Sequence, residues 1–320
     1  MLTNTRSAFL YTVAVGICPH SIMKKAFLQL HLSVFLAGFT GVLGKLITMS
    51  EGLLVWYRLL ITVIILYIVS RFRGTFKLLP LKNIIPIGLT GCVVMLHWLF
   101  FYGSIKYSNV SIGVVCFSLT SLFTAIFDPL INRRKFDTVE LLLSLLTLCG
   151  ILLIFHFDTQ YRTGIILGII SSAFAALFTV FNKRLVAKYE THTITFYELA
   201  SGFLALSLLL PAYLYFFPQP SFFPSLTDTA YLVILAWFCT VLMYQLSMEA
   251  LKKISPFTVN LCFNLEPLYS ILLAFVLFNE GKYLHNGFYV GLGLIGLSVV
   301  LQMVRVARQQ KKGVTAGLHG

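Results

Sequence analysis

Asn260, Asn264, Glu266 and Pro267 fall together inside a long apolar run. Proline inside a helix removes one hydrogen-bond donor and frees the carbonyl four residues back, here that of Phe263. At helical pitch Asn260 and Asn264 stand about one and a half turns and half a turn before Glu266. A carboxylate, two amides and a free carbonyl at one depth make a site for a cation, an amine or a proton. The alternative is a proline kink whose glutamate hydrogen-bonds a neighbouring helix. Arg58 and Glu198 also interrupt apolar runs. Each is a candidate gate residue that holds a charged end of a substrate or closes a mouth through an ion pair, unless it snorkels to the nearer interface. His97 and His31 can carry protons, because histidine titrates near neutral pH, or can pack as satisfied residues. Tyr57, Trp98, Phe101, Tyr102, Tyr197 and Tyr244 offer aromatic walls, although Trp and Tyr also gather at membrane interfaces. Trp98 and Tyr244 are the two expected at the site. Gly38, Gly41 and Gly44 form one small-residue row that favours close helix packing, with flexing at Gly41 the other reading. Pro267 is the second candidate hinge.

The surroundings give these side chains their meaning. Of 320 residues 58% are hydrophobic and 11% charged, whereas a soluble domain carries about 25% charged residues. Apolar runs near the ~20 residues needed to cross a bilayer recur along the whole chain, so the predicted class is an all-α integral membrane protein. An ionisable group at the bilayer centre costs about 2.5–3.5 kcal/mol on insertion scales and must face a cavity or a partner. Ten helices are predicted, near 26–48, 52–70, 84–105, 109–131, 138–157, 163–187, 193–216, 228–250, 255–278 and 284–306.

The net charge of +13 does not point to nucleic acid, because Lys and Arg sit in short clusters between apolar runs and not on an amphipathic face. One set of loops and ends holds nineteen basic residues, among them Arg71, Arg73, Arg133, Arg134, Lys183 and Arg184; the alternate loops hold three, Lys106, Arg162 and Lys282. Such a bias places both termini in the cytoplasm by the positive-inside rule, in the inner membrane of the cell. Lys45 and Lys183 near span ends read as interfacial anchors. Cys18, Cys92, Cys116, Cys149, Cys239 and Cys262 form no C-x-x-C pair and lie at no metal-ligand spacing, so they read as packing residues. No metal and no cofactor is expected.

The chain repeats itself. A shift of 146 lays Lys106 on Lys252, Cys116 on Cys262, Phe117 on Phe263, Leu119 on Leu265, Leu122 on Leu268 and Gly150 on Gly296; the same shift pairs Trp98 with Tyr244. A shift of 140 pairs Arg58 with Glu198, and one of 138 pairs Lys45 with Lys183. Five helices per half force the second copy to enter the membrane from the opposite side, which gives two inverted repeats. Inverted halves can exchange conformations about a central cavity, the basis of alternating access. The expected organisation is an N-terminal extension over 1–22, a signal-like segment or an upstream start before Met23; a first repeat over 23–157; a second over 158–308; and a cytoplasmic tail over 309–320.

The sequence resembles the EamA family of the drug/metabolite transporter superfamily. The likeness covers most of Met23 to Arg308 and is strongest in Ala250-Leu-Lys-Lys-Ile-Ser-Pro256, Leu265-Glu266-Pro267, Phe278-Asn-Glu280 and Gly291-Leu-Gly-Leu-Ile-Gly296. It implies ten helices in two inverted halves, secondary transport of small metabolites, often outward, and a cavity among helices 1 to 4 and 6 to 9. The first half departs from the pattern: Thr120-Ser121 and Arg134 stand where the second has Glu266-Pro267 and Glu280. Buried acid chemistry is therefore expected in the second half. The leading expectation is an exporter of a small organic solute such as an amino acid, amine or nucleoside, coupled to protons or running down the solute gradient, with membrane lipid around it and a homodimer through the peripheral helices left open. A carrier of lipid-linked or nucleotide-linked sugars would need more basic cavity residues than Arg58 and Lys45. An intramembrane enzyme is disfavoured, since the sequence holds no H-E-x-x-H, no G-x-S-x-G and no mid-membrane Asp pair.

Overall fold

Leucine, isoleucine, valine and phenylalanine fill the runs between basic loops. In water these runs would have nowhere to hide so much apolar surface; as helices they satisfy every backbone group internally and can face lipid. The computed structural model describes residues 19–74, 76–154, 161–278 and 286–316, and among these there is helix and no strand. In chain order the helices are α1 (Pro19–Leu46), α2 (Glu51–Phe72), α3 (Leu81–Lys106), α4 (Val110–Phe117), α5 (Thr120–Asn132), α6 (Thr138–Ile154), α7 (Arg162–Leu185), α8 (Thr191–Phe216), α9 (Leu226–Ala236), α10 (Met243–Leu251), α11 (Pro256–Phe263), α12 (Glu266–Phe278) and α13 (Asn286–Ala316). A π-helical segment, Trp237–Leu242, joins α9 to α10. Eight stretches among the described residues are long and apolar enough to cross a membrane, with a shorter apolar helix at Thr138–Leu153.

Starts and stops follow local chemistry. Asn109 accepts from the Ile112 amide at 2.8 Å, and Ser255 accepts from Thr258 at 3.2 Å with Pro256 in the first turn, as side-chain caps should. At the end of α5 Arg133 turns left-handed, φ 52°, and Arg134 N–H closes on the Pro129 carbonyl at 2.9 Å.

Several boundaries differ from the sequence reading. The first helix was expected near residue 26 and begins at Pro19; Lys24 and Lys25 are exposed, and lysine is a good enough helix former not to stop it. The last was expected to end near 306 and runs to Ala316, through basic residues that pattern reading assigns to a tail. The predicted helix 109–131 is two helices, broken at Ser118 and Leu119, and 255–278 is likewise broken at Asn264 and Leu265. The breaks lie 146 residues apart, the repeat shift itself. Residues 1–18, with Arg6 and Cys18, and Glu280 and Lys282 lie outside the described residues.

The bundle is inside out relative to a soluble protein. Leu28, Ile166, Leu204 and Leu208 are exposed on its outer surface, while Arg58, Glu198 and Glu266 are buried within it. That pattern, with the eight apolar stretches, makes the chain a multi-pass membrane protein. At the centre α3 packs against α7 and α8. A Cβ on Gly91 would lie 1.9 Å from the Glu198 carbonyl and one on Gly202 2.8 Å from the Gly91 carbonyl, so glycine at both positions sets how closely α3 and α8 cross. Ties near the ends hold the bundle shut. Asp228 accepts from the Thr48 amide at 2.8 Å and its hydroxyl at 2.7 Å, and Lys106 donates to the Ile47 carbonyl. Elsewhere Lys183 donates to the carbonyls of Leu251 at 2.6 Å and Ile254 at 2.9 Å.

Candidate functional site

A cavity of about 70 Å³ lies inside the bundle, with walls from α1, α2, α3, α4, α7, α10, α11 and α12. Half of its sixteen lining residues are apolar: Ala37, Trp98, Phe101, Phe117, Ala175, Phe178, Met243 and Phe263. The other eight carry polar groups: Thr40, Arg58, His97, Thr179, Tyr244, Ser247, Asn260 and Glu266. A concavity that combines apolar walls with convergent polar groups is the usual form of a small-molecule site.

Arg58 sits two turns into α2 and is completely buried. Its Nε donates to Thr240 Oγ1 at 2.8 Å, Nη1 to the Tyr102 hydroxyl at 2.7 Å and Nη2 to the Cys239 carbonyl at 3.1 Å, while its guanidinium carbon lies 3.8 Å from the centre of the Trp98 ring. Guanidinium has five N–H donors; three are committed to these partners, and the other two have none among the described residues. The π-helical segment makes this cradle. There the Thr240 hydroxyl reaches back five residues to the Leu235 carbonyl at 2.9 Å, and the widened turn presents the Cys239 carbonyl to Arg58. Such bulges recur at functional sites.

Glu266 starts α12, where Pro267 cannot donate to the backbone behind it. The chain passes the break through tight turns, with Asn264 N–H bonded to the Leu261 carbonyl at 3.1 Å and Leu265 N–H to Cys262 at 3.0 Å. Glu266 is buried and lines the cavity, and its carboxylate has no hydrogen-bond partner among the described residues. Arg58 and Glu266 share the cavity but form no ion pair with each other.

Other expected residues divide into those at the cavity and those behind it. His97 lies on the wall, tied through Nδ1 to the Ser171 hydroxyl at 2.8 Å and its carbonyl at 3.1 Å. Because that hydroxyl donates its own proton to the His97 carbonyl at 3.0 Å, the network assigns the ring proton to Nδ1 and leaves Nε2 an acceptor. Asn260 reaches the cavity with its amide on Thr124 at 2.7 Å and its oxygen accepting from Thr179 at 3.2 Å. Tyr244 presents its ring, while its hydroxyl accepts from Asn182 at 3.0 Å. Glu198 does not line the cavity; it lies behind Tyr244, bound by the same Asn182 amide at 3.0 Å. Asn264 points away toward Ser121 at 3.2 Å and Thr147 at 3.3 Å. The four-residue group read from the sequence is thus split, because the break turns Asn264 off the face that holds Asn260 and Glu266.

Gly41 lies against Val110 and Val114, and Gly38 and Gly44 against Tyr269 and Tyr102. His31 is half-buried away from the cavity lining. Tyr57 packs on Trp56 and Phe222, and the Tyr197 hydroxyl binds the Lys77 carbonyl at 3.0 Å. Tyr102 serves as an anchor for Arg58 rather than as lining. Thr40, Phe117, Phe178, Thr179, Ser247 and Phe263 had no signal as site residues beyond ordinary apolar or hydroxyl character. Thr240 had none at all, since no sequence pattern marks a π-turn.

Fold and site define a polytopic helical membrane protein with an internal cavity lined by both halves of the chain. The model of the EamA-like transporter family matches residues 24–156 and again 162–302, and the chain belongs to that family, with two copies of its unit. It is 24% identical over 274 residues to a Haemophilus influenzae protein named an uncharacterized transporter, a match covering 80% of this chain and 86% of that one. A second protein of the same description, from Archaeoglobus fulgidus, is 26% identical over 197 residues, 58% of this chain and 65% of the relative. A crystal structure with 16% identity superposes with a TM-score of 0.66 over 91% of this chain and 99% of its own, which is a likeness of fold. Family and relatives point to a transporter and not to an enzyme.

Proposed function

We propose that this chain is a secondary transporter that moves a small organic metabolite across the cytoplasmic membrane by alternating access, as an exporter coupled to protons. The observation that carries the proposal is the cavity at the crossing of two broken helices: α4–α5 comes from the first repeat, α11–α12 from the second, and each contributes a wall. Short half-helices around a buried polar site are the construction that lets one bundle half rock against the other. In this reading the chain has ten spans, α4–α5 and α11–α12 each counting as one, in two inverted five-helix halves with both termini cytoplasmic. Gly41 and Pro267 are the flexing points, and Glu266 is the proton-carrying acid, with His97 on the same lining. Arg58 binds substrate. Glu198, Asn264 and Asn260 position the walls, and Trp98 and Tyr244 form them. No catalytic step and no cofactor enters the cycle.

Carriers of phosphate-bearing sugars would need several cations facing the solute, and Arg58 is the one strong base on this lining. That favours a small metabolite. The test is accumulation in proteoliposomes with an imposed pH gradient, screening pooled amino acids, amines and nucleosides. Wild type should accumulate a solute and dissipate the gradient as it does so; a wild type that moves no solute in either direction contradicts the proposal.

A further inference from the structure

We propose that the route from the cavity to the basic face of the bundle runs down a polar seam where α5 meets α7 and α11, and that Arg184 on α7 is the gate that closes it; this rests on the transporter reading. The seam begins at the cavity wall. There Thr179 donates to the Asn260 amide oxygen at 3.2 Å, and the Asn260 amide nitrogen donates to Thr124 Oγ1 at 2.7 Å. From Thr124 onward α5 carries Asp128 and then Asn132 at intervals of four, so the three side chains stack in one row on one face. Eight residues at helical rise make that row about 12 Å long. It ends beside the exposed Arg133 and Arg134, at the face that is cytoplasmic in the proposed topology. α5 packs against both α7 and α11 along this length.

Packing alone does not account for the row. Thr124 is completely buried and Asp128 nearly so, inside a stretch long and apolar enough to span. A carboxylate in such a stretch is costly, and residues of this kind face water-filled paths or partners. Its cationic partner, Arg134, stands 3.9 Å away and is itself largely exposed. At the shift of 146 the corresponding residues of the second half are Ser270, Ala274 and Phe278. Two equivalent helices have the same packing to do, and only one carries a row that water can wet throughout. The gate lies at the exposed end. Asp128 accepts from the Asn132 amide, which leaves the Asn132 oxygen for Arg184 Nε at 2.7 Å, while Arg184 Nη2 donates to the Ile131 carbonyl at 2.6 Å. α5 belongs to the first family unit and α7 to the second, so this fork ties one half to the other and must break for the two helices to part.

Thiol accessibility tests this without any solute, in sealed vesicles of both orientations. The probe is a charged, membrane-impermeant methanethiosulfonate, and rates are taken above those of the chain's own cysteines. Thr124→Cys should react from the Arg184 face and not from the opposite one. Thr147→Cys, at a similarly buried hydroxyl that joins α6 to α13 through Ser298, should react from neither, because hydroxyls there only hold helices together. Arg184→Gln and Asn132→Ala should each raise the Thr124→Cys rate at least about tenfold, the shift in open population that loss of one hydrogen bond to a charged group gives. Asn260→Cys, across the same hydrogen bond on α11, is a second reporter and should respond to both gate variants alike. Reaction of Thr124→Cys from the opposite face, reaction of Thr147→Cys at an equal rate, or a rate that either gate variant leaves unchanged overturns the inference. Solute movement without these accessibility changes sinks the gate and leaves the transporter reading standing. The changes without movement of any solute do the reverse.

Discussion

The two broken helices meet in the middle of the bundle and are built to the same register, yet they end differently. In the first, Thr120 Oγ1 donates to the Phe117 carbonyl at 2.6 Å and Ser121 Oγ to the Ser118 carbonyl at 3.2 Å. The break is closed by its own hydroxyls. In the second, the corresponding residues are Glu266 and Pro267. Proline has no donor, and the carboxylate turns into the cavity with no hydrogen-bond partner among the described residues. Arg58 and Glu198, paired by the repeat, diverge in the same way: one faces the cavity, the other is held behind Tyr244 by Asn182. In each pair one copy is tied into the structure and the other faces the cavity.

The largest expected effect comes from the open break. Glu266→Gln keeps size and removes charge, and it should abolish gradient-driven accumulation, a loss of tenfold or more, equivalent to at least about 1.4 kcal/mol. Retained accumulation in that variant makes the carboxylate structural. Arg58→Lys comes next. Lysine keeps the charge but cannot bond Thr240, Tyr102 and the Cys239 carbonyl from one planar fork, so solute affinity should fall about tenfold in a protein that still extracts as a monodisperse peak. Thr240→Val tests the π-turn: it removes the Nε partner of Arg58, and losing a hydrogen bond to a charged group should lower unfolding stability by about 1.5–3 kcal/mol, with a smaller effect on uptake. Thr120→Val in the closed break should lower stability by about 0.5–1.5 kcal/mol and leave transport unchanged once corrected for protein amount.

Smallest of all is the surface tie between Lys77 and Glu190, 2.6 Å apart. The Lys77 ammonium holds the Glu190 carboxyl below its ordinary range. A depressed carboxyl contributes where it is ionised, above its unfolded value, and the contribution is lost as pH falls through the lowered folded value. Glu190→Gln should thus lower melting only slightly near neutral pH, since exposed pairs contribute little, and make no difference at acid pH, where the contribution is already lost. A large destabilisation near neutral pH would assign this pair a gating role instead.

Much of this was legible in the sequence, for a physical reason. Lipid demands long apolar helices, and duplication leaves a register, so element type and the 146-residue shift could be read from residue classes alone. Glu266, Arg58, His97, Trp98, Asn260 and Tyr244 stood out because a polar or aromatic group at that depth needs a cavity or a partner, and the structure puts all six on one lining. The first break did not stand out. Ser118 to Ser121 contain no proline, and hydroxyls that bond their own backbone look like any others. Asn264 was placed on the wrong face for the same reason: helical spacing holds only while the helix is continuous. The Thr240 cradle depends on one extra residue in a turn, a feature of backbone geometry that composition does not encode.

The difference between the two breaks is most directly measured by solute exchange across proteoliposomes made with wild type, Glu266→Gln and Thr120→Val, each normalised to inserted protein. The account predicts that Thr120→Val exchanges like wild type while Glu266→Gln does not exchange. Equal loss in both variants, or equal retention in both, would contradict it.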